Sequence, residues 1–311
     1  MAKRPTWYKR DLQLSARMLL TMFLLGAVYL AFLFFLWYLH VNIILLIVLA
    51  AVILGVQFFF ADKIALFSMQ AREVSEAEAP QLHSLINRLA AQANLPKPRV
   101  AIVNTNLPNA FATGRSKRSA VVAVTTGLLD RLNTQELEAV LAHELTHIIN
   151  RDMFVMTVAT FLAMVASLLT NSLMWGAFFG GYGGGYGRRN SRDNEGGAII
   201  LLWLVSMLVY AISFVLIRAL SRYREYAADR GSALITGAPE NLASALMRIE
   251  GTIASGRIPD RDLRQAQGVS ALMIMPALRG ESAMEIFSTH PSLEHRIERL
   301  QRMQRQMESA S

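Results

Sequence analysis

Four long apolar runs divide the chain: Met18 to Tyr38, Val41 to about Ala61, Met153 to about Phe179, and Ala198 to Ile217. A helix needs roughly 20 apolar residues to cross the hydrocarbon core, so the pattern predicts about four transmembrane helices. The first run ends in Leu-Phe-Phe-Leu-Trp-Tyr rather than in small residues, which marks a retained span and not a cleaved signal. Only a tight connection around His40 separates it from the second, so the two read as a helical hairpin with His40 at the interface beside Trp37 and Tyr38. Hydroxyls in the third run, such as Thr157 and Thr160, can bond back to their own helix, which permits spanning. A Gly-rich, Tyr-dotted stretch over 180–197 links the third and fourth runs; its composition predicts a flexible linker.

Between the second and third runs the pattern turns amphipathic. Glu73 to Ala93 reads as a helix with Leu82, Leu85, Ile86 and Leu89 on one face, and His83 on it takes an exposed or capping role. Arg99 to Asn104 and Ala120 to Thr125 read as short strands, and Asn109 to Gly114 leads into a polar turn, predicting a small antiparallel sheet. If Ala110 to Thr113 is an edge strand, Asn109, Ala110, Phe111 and Ala112 can pair with an extended substrate chain; a plain hairpin is the alternative. Asn133 and Glu136 form a capping-box-like start to a helix that runs to Asp152. Beyond the fourth run, Ser221 to Arg230 reads as helical. Ser288 to Ser292 makes a turn before a last helix whose Arg296, Arg299, Arg302 and His295 suggest a solvated face.

Composition strengthens the membrane reading, since 53% of residues are hydrophobic and 17% charged, against about 25% charged in ordinary soluble domains. The net charge of +8 raises the question of nucleic acid. Basic flanks around apolar spans explain it better, and no zinc-finger, homeodomain or RNA-binding signature supports a nucleic-acid partner. Lys3, Arg4, Lys9 and Arg10 precede the first span, Lys63 and Arg72 follow the second, and Arg218 to Arg230 follow the fourth, which assigns these flanks to the cytoplasm. The chain has no cysteine, so disulfide and thiolate chemistry are excluded.

The predicted helix from Asn133 contains His143-Glu144-Leu145-Thr146-His147. Residues four apart share a helix face, so the two imidazoles can converge on one cation. Zinc suits them, because its catalytic sites use three protein ligands and keep one open position. Glu144 lies beside the pair, where a general base for water is needed, and the pattern is that of metalloproteases. The plain alternative is two partly buried histidines satisfied by neighbours. Glu225 and Asp229 also lie four apart. For Glu225 to complete the site, the chain must cross the membrane an even number of times after His147, which two runs satisfy; otherwise the pair is a solvated face holding nearby arginines.

Together, the H-E-L-T-H helix, the Glu225 to Asp229 pair, the Asn-Ala-Phe-Ala strand and the His290-Pro291 turn make nearly the whole chain resemble the HtpX family. These are integral-membrane zinc metalloproteases related to the CAAX prenyl proteases. The resemblance implies one Zn2+ per subunit on His143, His147 and Glu225, with Glu144 as general base. It also implies that Asp229 orients a ligand histidine, that His290 and Arg296 lie at the site periphery, and that His290 supports the oxyanion. The implied fold is an α-helical membrane protein with an α+β zincin-like metalloprotease domain. Its organisation would be an N-terminal transmembrane hairpin over 1–62, the first part of the protease domain over 63–152, an apolar helix pair over 153–220, and the second part over 221–311.

The implied activity is endopeptidase cleavage of damaged or misfolded membrane proteins in a prokaryotic inner membrane, with the catalytic domain cytoplasmic. Partners would be polypeptides and the lipid bilayer, with the oligomeric state left open. Two alternatives stay beside this reading: a CAAX-type protease acting on prenylated peptides, and a non-catalytic zinc-binding sensor or scaffold. The intact Glu144 favours catalysis.

Overall fold

The computed structural model describes residues 11–39, 44–180, 192–255, 258, 259, 262, 274 and 290–309. The basic residues Lys3, Arg4, Lys9 and Arg10, together with His40 and positions 181–191 of the Gly-rich stretch, lie outside the described residues.

Helix α1 (Leu12–Tyr38) starts where the Asp11 carboxylate accepts the Leu14 N–H at 2.9 Å, capping an otherwise open helix end. Helices α2 (Ile44–Phe59) and α3 (Ala61–Ser68) follow, bent by 69° between them. Helix α7 (Asp152–Gly180) and helix α8 (Arg192–Thr236) carry the later apolar runs. Among the described residues three stretches are long and apolar enough to span, Leu12–Tyr38, Asp152–Asn171 and Ile200–Thr236, and the bent α2/α3 pair makes a fourth if it is one span. The expected hairpin is not a packed pair: α1 packs chiefly on α8, and α2 on α7. A buried bond from Tyr29 Oη to the Ala159 carbonyl, 2.6 Å, ties α1 to α7.

Helix α8 has no proline, and no glycine between Gly197 and Gly231, so nothing interrupts it where the apolar run gives way to the arginines. Its 45 residues span about 67 Å at 1.5 Å each, well over the membrane thickness, and the excess carries Glu225 into the polar domain.

The sheet comprises β1 (Arg72–Glu73), β2 (Arg99–Val103), β3 (Ala110–Thr113) and β4 (Val121–Thr125) in the order β1-β2-β4-β3. It is mixed rather than antiparallel: β2 and β4 run parallel, while β3 pairs antiparallel with β4. The reason lies in β4, whose Val-Val-Ala-Val-Thr is buried at every position and so takes the centre, leaving β3 at the edge.

Alternate side chains face two layers. Val100, Val122 and Val124 join the main core with α4 (Pro80–Gln92), α6 (Thr134–Asn150) and α9 (Pro239–Ala254). Ala101, Val103, Phe111, Val121 and Ala123 pack on Ala65 and Met69 around α3. Fully buried Ile86, Leu89, Leu246 and Ile249 each contribute about 1.5–3 kcal/mol to that core. The short α5 (Thr126–Leu129) leads toward α6, and α10 (Leu293–Glu308) closes the chain.

Two local expectations change. Helix α4 begins at Pro80, not Glu73, because Glu73 is taken into β1 against Ala101. His83 is neither exposed nor a cap; it is buried, with Nε2 2.9 Å from the Val74 carbonyl just past the end of the short strand.

Candidate metal centre

Helix α6 is fixed at its start by a complete capping box. Asn133 Oδ1 accepts the Glu136 N–H at 2.9 Å, and Glu136 Oε2 accepts the Asn133 N–H at 3.0 Å. The same Glu136 accepts Ser244 Oγ at 2.6 Å and pairs with Arg248 at 2.9 Å, which locks α9 to the helix. On the other side α8 approaches so closely at Gly231 that a Cβ there would lie 2.2 Å from Thr146 Cγ2. That glycine lets Glu225 reach the histidine face of α6.

The two imidazoles stand nearly perpendicular, at 86°, with their Nε2 atoms 3.2 Å apart. Glu225 faces both imidazoles, with Oε2 3.5 Å from His143 Nε2 and Oε1 3.6 Å from His147 Nε2. Ligands about 2.1 Å from a tetrahedral zinc lie about 3.4 Å apart, so these separations fit one such ion held by two nitrogens and a carboxylate. His143 and Glu225 are buried and His147 partly so, and among the described residues these three form a group whose donor atoms could hold one metal ion.

Each imidazole is aimed from behind by a carboxylate. Asp229 Oδ1 lies 3.0 Å from His143 Nδ1, and Asp152 Oδ2 lies 2.6 Å from His147 Nδ1. The hydrogen bond at His147 fixes the tautomer that leaves Nε2 free to coordinate, while Asp229 stands at ion-pair distance behind His143. Asp229 is in turn gripped by Arg296, whose Nε and Nη2 donate at 2.9 and 2.5 Å. The pattern of α10 suggests a solvated Arg296, yet the side chain is wholly buried, drawn inward by this fork; His295 is exposed, as its helix face requires.

Burial alone would drive the His143 pKa down, but hydrogen bonding to Asp229 and Glu225 and the charge of Asp229 carry it up to about 9. Glu144, beside the ligands, is almost fully buried, and that burial pushes its carboxyl above the usual range. The backbone N–H of Ala112 faces that carboxyl and partly offsets the rise.

That orientation follows from the register of β3. Thr125 N donates to the Asn109 carbonyl at 2.9 Å, so Asn109 and then Phe111 turn their amides toward β4, while Ala110 and Ala112 turn theirs to the free edge. Ala110, Phe111 and Ala112 line a cleft of about 90 Å³ with His143, Glu144 and His147. Asn109 is instead wholly buried, its Oδ1 accepting the Ile274 N–H at 2.9 Å. His290 reaches the same cleft, with Nδ1 3.4 Å from Glu225 Oε2.

Three participants escape sequence reasoning. Asp152 lies past a helix end; Arg224, 3.1 Å from Asp152, reads as one of several flanking cations; and Ile274 bridges Asn109 to Arg296 through its backbone alone, its carbonyl accepting Nη1 at 3.1 Å. The run His147 to Asp152, a carboxylate just after the second histidine, was the available signal for the first.

A helix-borne histidine pair, a distant carboxylate and an adjacent buried glutamate, set under a group of apolar helices, define a membrane-bound metalloprotease. The chain matches peptidase family M48 over residues 76–304 and belongs to that family. It is 58% identical to the protease HtpX homolog of Moorella thermoacetica, over 96% of this chain and 97% of that protein. It is 55% identical to protease HtpX homolog 2 of Methanosarcina mazei, over 96% and 98%. Among solved structures, S. mikatae Ste24p shares the fold, with a TM-score of 0.56 at 17% identity, covering 93% of this chain and 67% of that one.

Proposed function

We propose that the chain is a zinc-dependent endopeptidase in which His143, His147 and Glu225 hold one Zn2+ per subunit and Glu144 is the general base. The observation that carries this reading is the convergence of His143, His147 and Glu225, each offering a donor atom within 4.8 Å of the other two, with Glu144 buried beside them. When bound, the ion would acidify a water and polarise the scissile carbonyl. Glu144 takes the proton of the attacking water and returns it to the leaving amine; its burial-raised pKa suits it to hold that proton between the two steps. Asp152 and Asp229 keep the imidazoles aimed, and Arg296 holds Asp229 ionised and fixed. We read His290 as a donor to the developing oxyanion. The outward backbone groups of Ala110 and Ala112 receive the substrate as an added strand.

The substrates in this reading are membrane proteins cut at cytoplasmic segments, as expected of quality control. Lys63 and Arg72 beyond the bent helix pair, and Arg218, Arg222 and Arg224 beyond the apolar part of α8, support a cytoplasmic catalytic domain. The likeness to Ste24p is one of fold, and prenylated peptides are not carried over from it.

The test is Glu144→Gln in the full chain. It is expected to retain zinc and fold while casein cleavage falls at least about 100-fold, as loss of a general base requires. Proteolysis at the wild-type rate would remove Glu144 from the mechanism.

A further inference from the structure

The break between α2 and α3 opens a second groove, of about 660 Å³, apart from the metal ligands. One wall is apolar, made by Val52, Gly55, Val56 and Phe59 of α2, and the rim is cationic, made by Lys63 and Arg115. The one carboxylate there, Asp62, is engaged by Arg99 at 2.5 Å. Among the described residues Lys63 and Arg115 have no carboxylate at ion-pair distance. Lys63 lies over the Phe60 ring at 5.5 Å, and Arg115 over the Phe59 ring at 5.4 Å while donating to the Phe59 carbonyl at 3.3 Å.

The level of this rim follows from α3. Its Ala61 and Ala65 are buried, with Met69 just beyond, while Ile64 and Phe67 are exposed, Phe67 at 85%. A short helix with one face on the protein and large apolar side chains on the other lies along a bilayer surface. The apolar wall of α2 then faces acyl chains, and the two cations stand at headgroup depth.

We propose that this groove binds one anionic glycerophospholipid, with its phosphate between Lys63 and Arg115 and an acyl chain along Val52, Gly55 and Val56. Bulk lipid would cover an exposed apolar wall whatever its headgroup. A concave wall ending in two cations without carboxylate partners selects charge as well. Arg115 also lines the catalytic cleft, in the turn that follows β3, so the bound headgroup steadies the turn that borders the substrate edge.

The fold supplies a clean probe. A Cβ at Gly55 meets no atom within 4 Å, so phenylalanine there fills the groove rather than the protein interior. The full chain is placed in phosphatidylcholine nanodiscs with a minor fraction of phosphatidylglycerol, and retained lipid is counted by native mass spectrometry. The wild type is expected to keep one phosphatidylglycerol with roughly 30-fold preference over phosphatidylcholine, from two basic side chains each worth about fivefold at a membrane surface. Lys63→Gln is expected to lower the preference about fivefold, and Gly55→Phe to remove retention with thermal unfolding unchanged. Should Gly55→Phe fail to fold, Lys63→Gln decides. Soluble glycerol phosphate is expected not to displace the lipid. Equal retention of the two lipids, an undiminished preference in Lys63→Gln, full retention in a folded Gly55→Phe, or displacement by glycerol phosphate would each overturn the proposal.

Discussion

His147 Nδ1 lies 2.6 Å from Asp152 Oδ2, although the two residues belong to different helices. Between them Arg151 adopts a left-handed backbone, φ 56° and ψ 41°, which ends α6 and turns the chain so that the first residue of α7 points back at His147. Arg224 of α8 meets the same carboxylate at 3.1 Å, so one aspartate links the metal helix, the following span and the helix that brings Glu225.

Removing the charge while keeping the shape isolates this role. Asp152→Asn is expected to weaken zinc binding about 10–100-fold, read by chelator competition, with unfolding of the metal-free chain little changed. Unaltered zinc affinity would make Asp152 a helix-linking residue only.

Arg296 is the fully buried cation of the site, held in a two-point grip on Asp229. Arg296→Met would leave that aspartate buried without its guanidinium, a loss of about 3–5 kcal/mol measurable by denaturant or thermal unfolding. Pairing it with Asp229→Asn is expected to recover part of the stability but not activity, because His143 then lacks its carboxylate. Full recovery of both would contradict the positioning role.

The free edge of β3 is tested at Ala112, whose N–H faces outward to Glu144. Ala112→Pro removes that donor without touching the bonds to β4. It is expected to raise KM for peptides severalfold or more with zinc content intact. Proline at Phe111 would break the β3–β4 ladder and test only folding.

How much of this was legible varied with the range of the interactions involved. The cap at Asn133, the histidine pair and the apolar runs are local patterns, and the structure shows each as read. The gathering of Glu225 and Asp229 with the histidines was reached through family resemblance, since spacing alone left a solvated face equally open. Asp152 was hidden because a non-glycine residue, Arg151, makes the reversal that aims it. The parallel β2–β4 pairing was hidden because strand order is set by which strand can be buried on both faces, and the unbroken apolar β4 was the clue. The bend after Phe59 carries neither proline nor glycine, so no residue type announced it. The helical pattern alone gave His83 an exposed or capping role and Arg296 a solvated face, whereas the family resemblance set Arg296 beside the site; each is buried against a group silent in the pattern, the Val74 carbonyl and the Asp229 carboxylate.

On the alkaline side stability should fall as pH rises, while the lowered Glu225 and Asp229 carboxylates give the ordinary loss at acid pH. In the metal-free chain His143 is raised from 6.5 to about 9, so the folded state holds its proton longer than the unfolded state. That contribution is complete below about pH 6.5 and is lost as pH rises through about 9, amounting to about 3 kcal/mol. Glu144, also raised, acts in the same direction at lower pH. Chelator-treated protein is therefore expected to lose thermal stability between pH 6.5 and 9, and the His143→Gln variant to show a flatter profile. Zinc should reverse the trend, because coordination needs the imidazoles unprotonated.

The central claim is that His143, His147 and Glu225 hold one catalytic zinc. Elemental analysis of the purified full chain, beside Glu225→Ala, tests it most directly. One zinc per chain is expected in the wild type and less than about a tenth of that in the variant after dialysis against a chelator that leaves the wild type loaded. A wild type without divalent metal, or a Glu225→Ala chain that keeps its full zinc, would contradict it.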